Sequence, residues 1–161
     1  MRALTVLLLT AALGGCAPAQ PFANAQPSRH VLALAVLDGL ARRDLDALRS
    51  LALSEAEFQT HVWPALPESR AERNLPFSDF WADIHQKSEV GLQRLLATHG
   101  GRRYELIELR FGGQPQRYAG YVIHRDPAFV VGQNGVPAEL RLTGAVIEMS
   151  GSWKLVSYAV D

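Results

Sequence analysis

Residues 140–161, LRLTGAVIEMSGSWKLVSYAVD, hold the pattern on which the fold turns. Two apolar runs flank Ser150-Gly151, and these small residues permit the tight reversal of a β-hairpin. With that pair as the loop, Glu148 faces Trp153, Val146 faces Leu155, Gly144 faces Ser157 and Leu142 faces Ala159. One face then carries Leu142, Val146, Glu148, Trp153 and Leu155. The other carries Thr143, Ala145, Ile147, Met149, Lys154, Val156 and Tyr158. Both are largely apolar away from a charged rim. Such a hairpin needs material packed on each side, or one side that lines a cavity or meets a partner.

Upstream, a period of two begins at Arg102. RRYELIELRF puts Tyr104, Leu106, Glu108 and Arg110 on one face and Glu105, Ile107, Leu109 and Phe111 on the other. Gly112, Gly113 and Pro115 interrupt it and connect to RYAGYVIHR, which alternates Tyr118, Gly120, Val122 and His124 against Ala119, Tyr121, Ile123 and Arg125. AFVVG reads as a short strand or a loop edge, and QNGVP as a turn. Four or five strands in meander order result.

The half before them reads as helix. Ser28 can cap RHVLALAVLDGLARRD, with Val31, Leu34 and Ala35 recurring at helical spacing. His30 falls in its exposed first turn. The helix continues or restarts at Asp44, where Leu45, Leu48 and Leu51 form a ridge. Ser54 and Glu57 have capping-box spacing before Phe58, Val62 and Trp63. Residues 64–76 read as a connection. SDFWADIHQKSEVGLQRLLATHGG then carries an inward stripe of Trp81, Ile84, Ser88, Gly91 or Leu92, and Leu95, with Gly100 as a left-handed stop. Ser88 and Gly91, small at mid-stripe, mean close packing on the sheet or, alternatively, room left for a ligand. Helices first and strands after is an α+β layout.

The amino terminus supplies an address. Arg2 precedes the apolar run ALTVLLLTAAL, short for a membrane span and matched to a signal-peptide core, and LGGC ends it at Cys16. The arrangement resembles the lipobox of bacterial lipoproteins. That resemblance implies a signal peptide over 1–15, lipidation of Cys16, a flexible tether over 16–27 and a single domain over 28–161. It also implies a cell-envelope location, with the outer-membrane inner leaflet facing the periplasm favoured because no aspartate follows Cys16. ANA at residues 23–25 would instead serve ordinary secretion. Cys16 is the only cysteine, so no intrachain disulfide forms. Sixteen basic and sixteen acidic side chains balance, which gives nucleic acid nothing to bind.

DLDALRSL, FSDFW and GSWKLVSYAVD together resemble the NTF2-like or cystatin-like group, whose amino-terminal helices pack on a curved antiparallel sheet to form a cone. The resemblance implies a binding or assembly protein, or an isomerase or cyclase with an acid or base inside the cone. His124, beside Val122, is the first histidine to test; Asp38 and His85 are the other catalytic candidates, with His61, Asp79 and Asp83 behind them. Trp81, Tyr104, Tyr118, Tyr121, Trp153 and Tyr158 are the ligand-lining candidates, able equally to form a docking surface or plain core. No cofactor or metal is implied, for the histidines lack HExxH spacing and no phosphate loop is present. The expected function is non-catalytic binding of a small apolar molecule or an envelope protein. The alternatives are the isomerase or cyclase and a structural homodimer built on the two-faced sheet.

Overall fold

The computed structural model describes residues 21–133 and 135–159. The expected signal peptide and Cys16 lie outside the described residues.

Ser28 caps the first helix, α1 (Arg29–Arg42), its hydroxyl accepting from the Val31 N–H at 3.2 Å. Arg43 takes a left-handed backbone, φ 55°, and ends it. Asp44 then caps α2 (Leu45–Ser50) by accepting from the Ala47 N–H at 3.0 Å, so the chain restarts there. The buried side of α1 is Leu32, Ala33, Val36, Leu37 and Leu40, whereas Val31 and Leu34 are 37% and 45% exposed. The expected stripe was therefore rotated. Apolar residues surround most of this helix, so spacing alone does not choose its phase. Close approach does: a Cβ on Gly39 would lie 2.8 Å from the Leu48 side chain.

Ser54 and Glu57 form the expected capping box at the start of α3 (Glu55–Glu57), which runs on as a π-helical turn, Phe58–Val62. Short 3₁₀ turns fill most of the connection to α4 (Phe77–His99). Gly100 after it is not left-handed; that conformation falls on Gly101, φ 84°.

Seven strands follow, β1 (Glu105–Phe111), β2 (Gln116–Arg117), β3 (Val122–His124), β4 (Pro127–Gln133), β5 (Val136–Leu140), β6 (Val146–Met149) and β7 (Ser152–Leu155). They do not form the expected meander. One antiparallel sheet has the order β1-β4-β5 and the other β2-β3-β6-β7. The segment expected as a short strand or a loop edge is the strand β4, central in the first sheet. Asp126, at φ 50°, kinks the chain between β3 and β4 and sends it from one sheet to the other. In β1 the register shifts between Leu106 and Glu108, with Ile107 as the extra residue of a bulge. Ile107 is thereby turned out, and Leu106 joins Leu109 and Phe111 against the core rather than opposing them.

The β6–β7 hairpin has the expected register, Glu148 opposite Trp153 and Val146 opposite Leu155. Ser150 and Gly151 both take positive φ, as a two-residue turn between right-twisted strands requires. Its two faces enter different cores. Val146 and Leu155 pack with α1, α2, α4, β1 and β4. Ile147, Val156 and Met149 pack with Phe58, Val62, Tyr121 and Ile123. Tyr158, expected on the second side, belongs to the first core, because the chain leaves the strand after Leu155 and the alternation lapses. Its hydroxyl donates to the Leu48 carbonyl at 2.6 Å.

Phe22 and Gln26, inside the expected tether, are docked on the domain. Phe22 is buried in the second core, and Gln26 exchanges backbone hydrogen bonds of 2.9 and 2.8 Å with Trp153. The folded region thus reaches back to Phe22, six residues before the expected start. The sequence-level reason for the difference is composition: proline-rich stretches supply few donors, yet one ring and one paired residue suffice to dock this one.

Candidate functional site

The amino-terminal half of α4 stands over the β2-β3-β6-β7 sheet without filling the space beneath it. Phe77, Phe80 and Trp81 are set on one side of α4 by helical spacing and meet Phe58 and Trp63 from the preceding turns. Ring centroids lie 5.0 Å apart for Trp63–Phe80 and 5.5 Å for Phe58–Trp81. These rings prop α4 off the sheet. A cleft of about 360 Å³ opens on one side, walled by Phe58, Val62, Phe80, Ile84, Ile123 and Val156. Tyr118, Arg125, Asp126, Arg141, Thr143 and Ala145 are among its other lining residues. Arg125 donates to Gln116 at 3.1 Å and Arg141 lies 3.6 Å from Asp126, both ion-pair partners of the latter being more than half exposed. The guanidinium groups thus border an apolar space from its wet side.

A second cleft, of about 440 Å³, lies on the other side of α4. More charged side chains line it than line the first. Lys154, 3% exposed, donates to Glu57 at 2.8 and 3.0 Å and to the Ala23 carbonyl at 2.7 Å. Burial alone would raise the Glu57 pKa, but the hydrogen bonds from Lys154 and Ser54 and the lysine charge outweigh it and leave the carboxyl below its usual range. Arg49 donates to both Glu89 oxygens, at 3.1 and 2.7 Å, and this hydrogen bonding holds Glu89 low as well. The cleft is lined by charges that already satisfy one another.

The sequence candidates fall in separate places. His124 is sandwiched between Phe111 and Trp153, with centroids 4.7 and 5.0 Å away, and its Nε2 lies 2.9 Å from Glu148. His124, Glu148 and Trp153 are thus brought together, on the face of β3 and β6 opposite the apolar cleft, which Ile123 and Ala145 line. Asp38 is an exposed residue paired with Arg42 at 2.7 Å. His85 is exposed and stacks on Trp81 at 5.9 Å. Tyr104 bonds His99 at 2.8 Å, away from both clefts, and burial chiefly, with the Arg102 charge, lowers the His99 pKa. Tyr118 stacks on Tyr121 at 4.8 Å. Tyr121 and Tyr158 are core residues: Tyr121 donates to the Val62 carbonyl at 3.2 Å, and burial, then the neighbouring Tyr118, pushes its pKa up to about 12. Among the six aromatic candidates, Tyr118 lines the first cleft and Trp81 and Tyr158 line the second.

Sequence reasoning passed over Phe58, Ile84, Thr143, Arg125 and Arg141 as a set, because their partners lie far along the chain. Lys154 did leave a signal, a cation inside an apolar β7. Among the described residues no group of three or more His, Cys, Asp or Glu is placed to hold a metal, and no helix is long and apolar enough to cross a membrane.

Thr143 is 2% exposed and its hydroxyl has no hydrogen-bond partner among the described residues. An orphaned buried hydroxyl costs about 1–3 kcal/mol. Thr143→Val, which keeps the shape, is therefore expected to leave stability unchanged or raise it by about 1 kcal/mol in urea unfolding. A loss above about 1 kcal/mol would show that the hydroxyl is satisfied.

No family model, curated protein or solved structure matches the chain.

Proposed function

We propose that this is a lipoprotein of the bacterial cell envelope, anchored through Cys16 in the inner leaflet of the outer membrane, whose periplasmic NTF2-like domain binds a small apolar ligand without chemistry. The observation that carries the reading is the apolar cleft beneath α4, which the aromatic rings of α4 hold open. Its volume suits a ligand of modest size. Arg125 and Arg141 at its border favour one with an anionic end, while Phe58, Phe80, Ile84 and Val156 take the apolar part. His124, the first of the catalytic candidates, stands on the far side of the sheet, and this favours binding over an isomerase or cyclase.

The test is titration with N-phenyl-1-naphthylamine, neutral, and 1-anilinonaphthalene-8-sulfonate, anionic. Both should bind saturably. Ala145→Phe, which fills the cleft, should weaken both by about tenfold or more while circular dichroism stays native, and Arg141→Ala should weaken the anionic probe alone by a few-fold. Unchanged binding in a folded Ala145→Phe protein would remove the cleft as the site.

A further inference from the structure

We propose that the half-exposed aromatic face formed by Trp63, Phe77, Phe80 and Trp81 docks on the bilayer to which Cys16 is attached. The inference rests on the lipid-anchor reading of Cys16 given above. Its second support lies in where the chain enters the fold. Phe22 is buried in the same apolar cluster as these four rings, edge-on to His61 at 5.6 Å. Residues 17–21 are all that separate it from Cys16. Six peptide steps reach at most about 20 Å, and a domain of this length is roughly 35–40 Å across, so its far faces cannot be brought to the membrane. Ala23 and Asn24, which follow Phe22, line the second cleft together with Trp81, so the face carrying the rings stands beside the point where the chain enters the fold.

That face has the chemistry of the headgroup boundary. Trp63 and Phe77 pack edge-on at 5.6 Å, Phe77 and Trp81 stack at 6.5 Å, and all are only half-buried. Leu75, 38% exposed, extends the patch. Aromatic side chains concentrate at this level of a bilayer because a large apolar body is buried there at little polar cost. The charges around it, Glu68, Glu72, Asp79 and Asp83 against Arg70, Arg73 and Lys87, give no net attraction to anionic lipid. Attachment instead holds the face at millimolar effective concentration, so weak apolar insertion is enough. Phe80 also walls the first cleft, so that cleft lies close to the docked face.

The sole cysteine makes the test direct. Residues 16–161 contain every described residue and can be coupled through Cys16 to vesicles of phosphatidylethanolamine and phosphatidylcholine bearing a maleimide headgroup. In chains that keep one tryptophan, Trp63 (Trp81→Phe with Trp153→Phe) or Trp153 (Trp63→Phe with Trp81→Phe), brominated phosphatidylcholine should quench Trp63 at least about twofold more than Trp153. Equal quenching, or none at either ring, would overturn the docking. Hydrogen exchange on the unsubstituted chain reads the same question without altering the fold. Slower exchange over residues 63–81 on vesicles than on the unattached chain supports docking, and unchanged exchange there overturns it. The intact mass of the protein extracted from cell membranes separately tests the anchor. An unacylated Cys16 would remove that reading, whereas equal quenching on the chemically attached chain would remove this one.

Discussion

Glu57→Ala should lower the midpoint of thermal unfolding by about 10–20 °C, the effect of about 3–5 kcal/mol lost from a domain of this size. The carboxylate serves three segments at once. It accepts from the Ser54 N–H at 2.8 Å, closing the capping box, from the Ala23 N–H at 2.7 Å, holding the amino-terminal segment, and from Lys154 at 2.8 Å. Removing it strands the Lys154 ammonium, 3% exposed, with the Ala23 carbonyl as its remaining partner. Lys154→Met removes the costly charge instead and fills the volume, so it should cost only about 1–2 kcal/mol. The asymmetry between the two variants is the diagnostic result. Equal losses would mean that the pair acts through packing alone.

The same carboxylate predicts an acid limb. Its pKa in the folded chain lies below the ordinary value of 4.5, so the folded state holds fewer protons than the unfolded one. Its contribution is complete above the ordinary value and disappears as pH falls through the lowered one. Glu57→Gln should flatten this part of the stability profile, measured by urea unfolding from neutrality down to about pH 3.

Gly91→Ala should destabilise by about 2–3 kcal/mol, although alanine is the better helix former by about 1 kcal/mol. Gly91 lies in the interior of α4, and a Cβ there would stand 2.1 Å from the Tyr158 carbonyl oxygen. The contact is with backbone, which cannot rotate away. Ser88, one turn earlier, accepts from the Tyr158 N–H at 3.0 Å, so helix and carboxyl-terminal segment are pinned at both points. Displacing the segment also draws the Tyr158 hydroxyl from Leu48. A stabilised Gly91→Ala protein would show that the segment sits farther from α4 than this.

What could be read from the chain divides by the distance between partners. Ser28, Asp44 and Ser54 announce their helices because a cap bonds two or three residues away, and the Glu148–Trp153 register follows from a two-residue loop. The small residues at Ser88 and Gly91 correctly signalled close packing. Ile107 misled, because a bulge inserts one residue and reverses every later assignment on the strand. Lys154 was placed on a charged rim because Glu57 is 97 residues away. The division into two sheets was equally hidden, since pairing β1 with β4 requires knowing that β2 and β3 stand aside. In the candidate site, residue types were legible and their grouping was not. The aromatic list was assembled from one chain direction, while the clefts are bounded by α4, the turns before it and the last strands.

The seating of Gln26 on Trp153 and of Lys154 on Ala23 also sets an order of events for a chain made from its amino terminus. Until β7 emerges, Gln26 lacks the Trp153 backbone, Ala23 and Glu57 lack their ammonium ion, and the α1 face lacks Leu155. Neither core can close on a partial chain, and the contacts that close them span most of its length. The polypeptide therefore stays open for nearly the whole of its synthesis, and it locks only once β7 has been made.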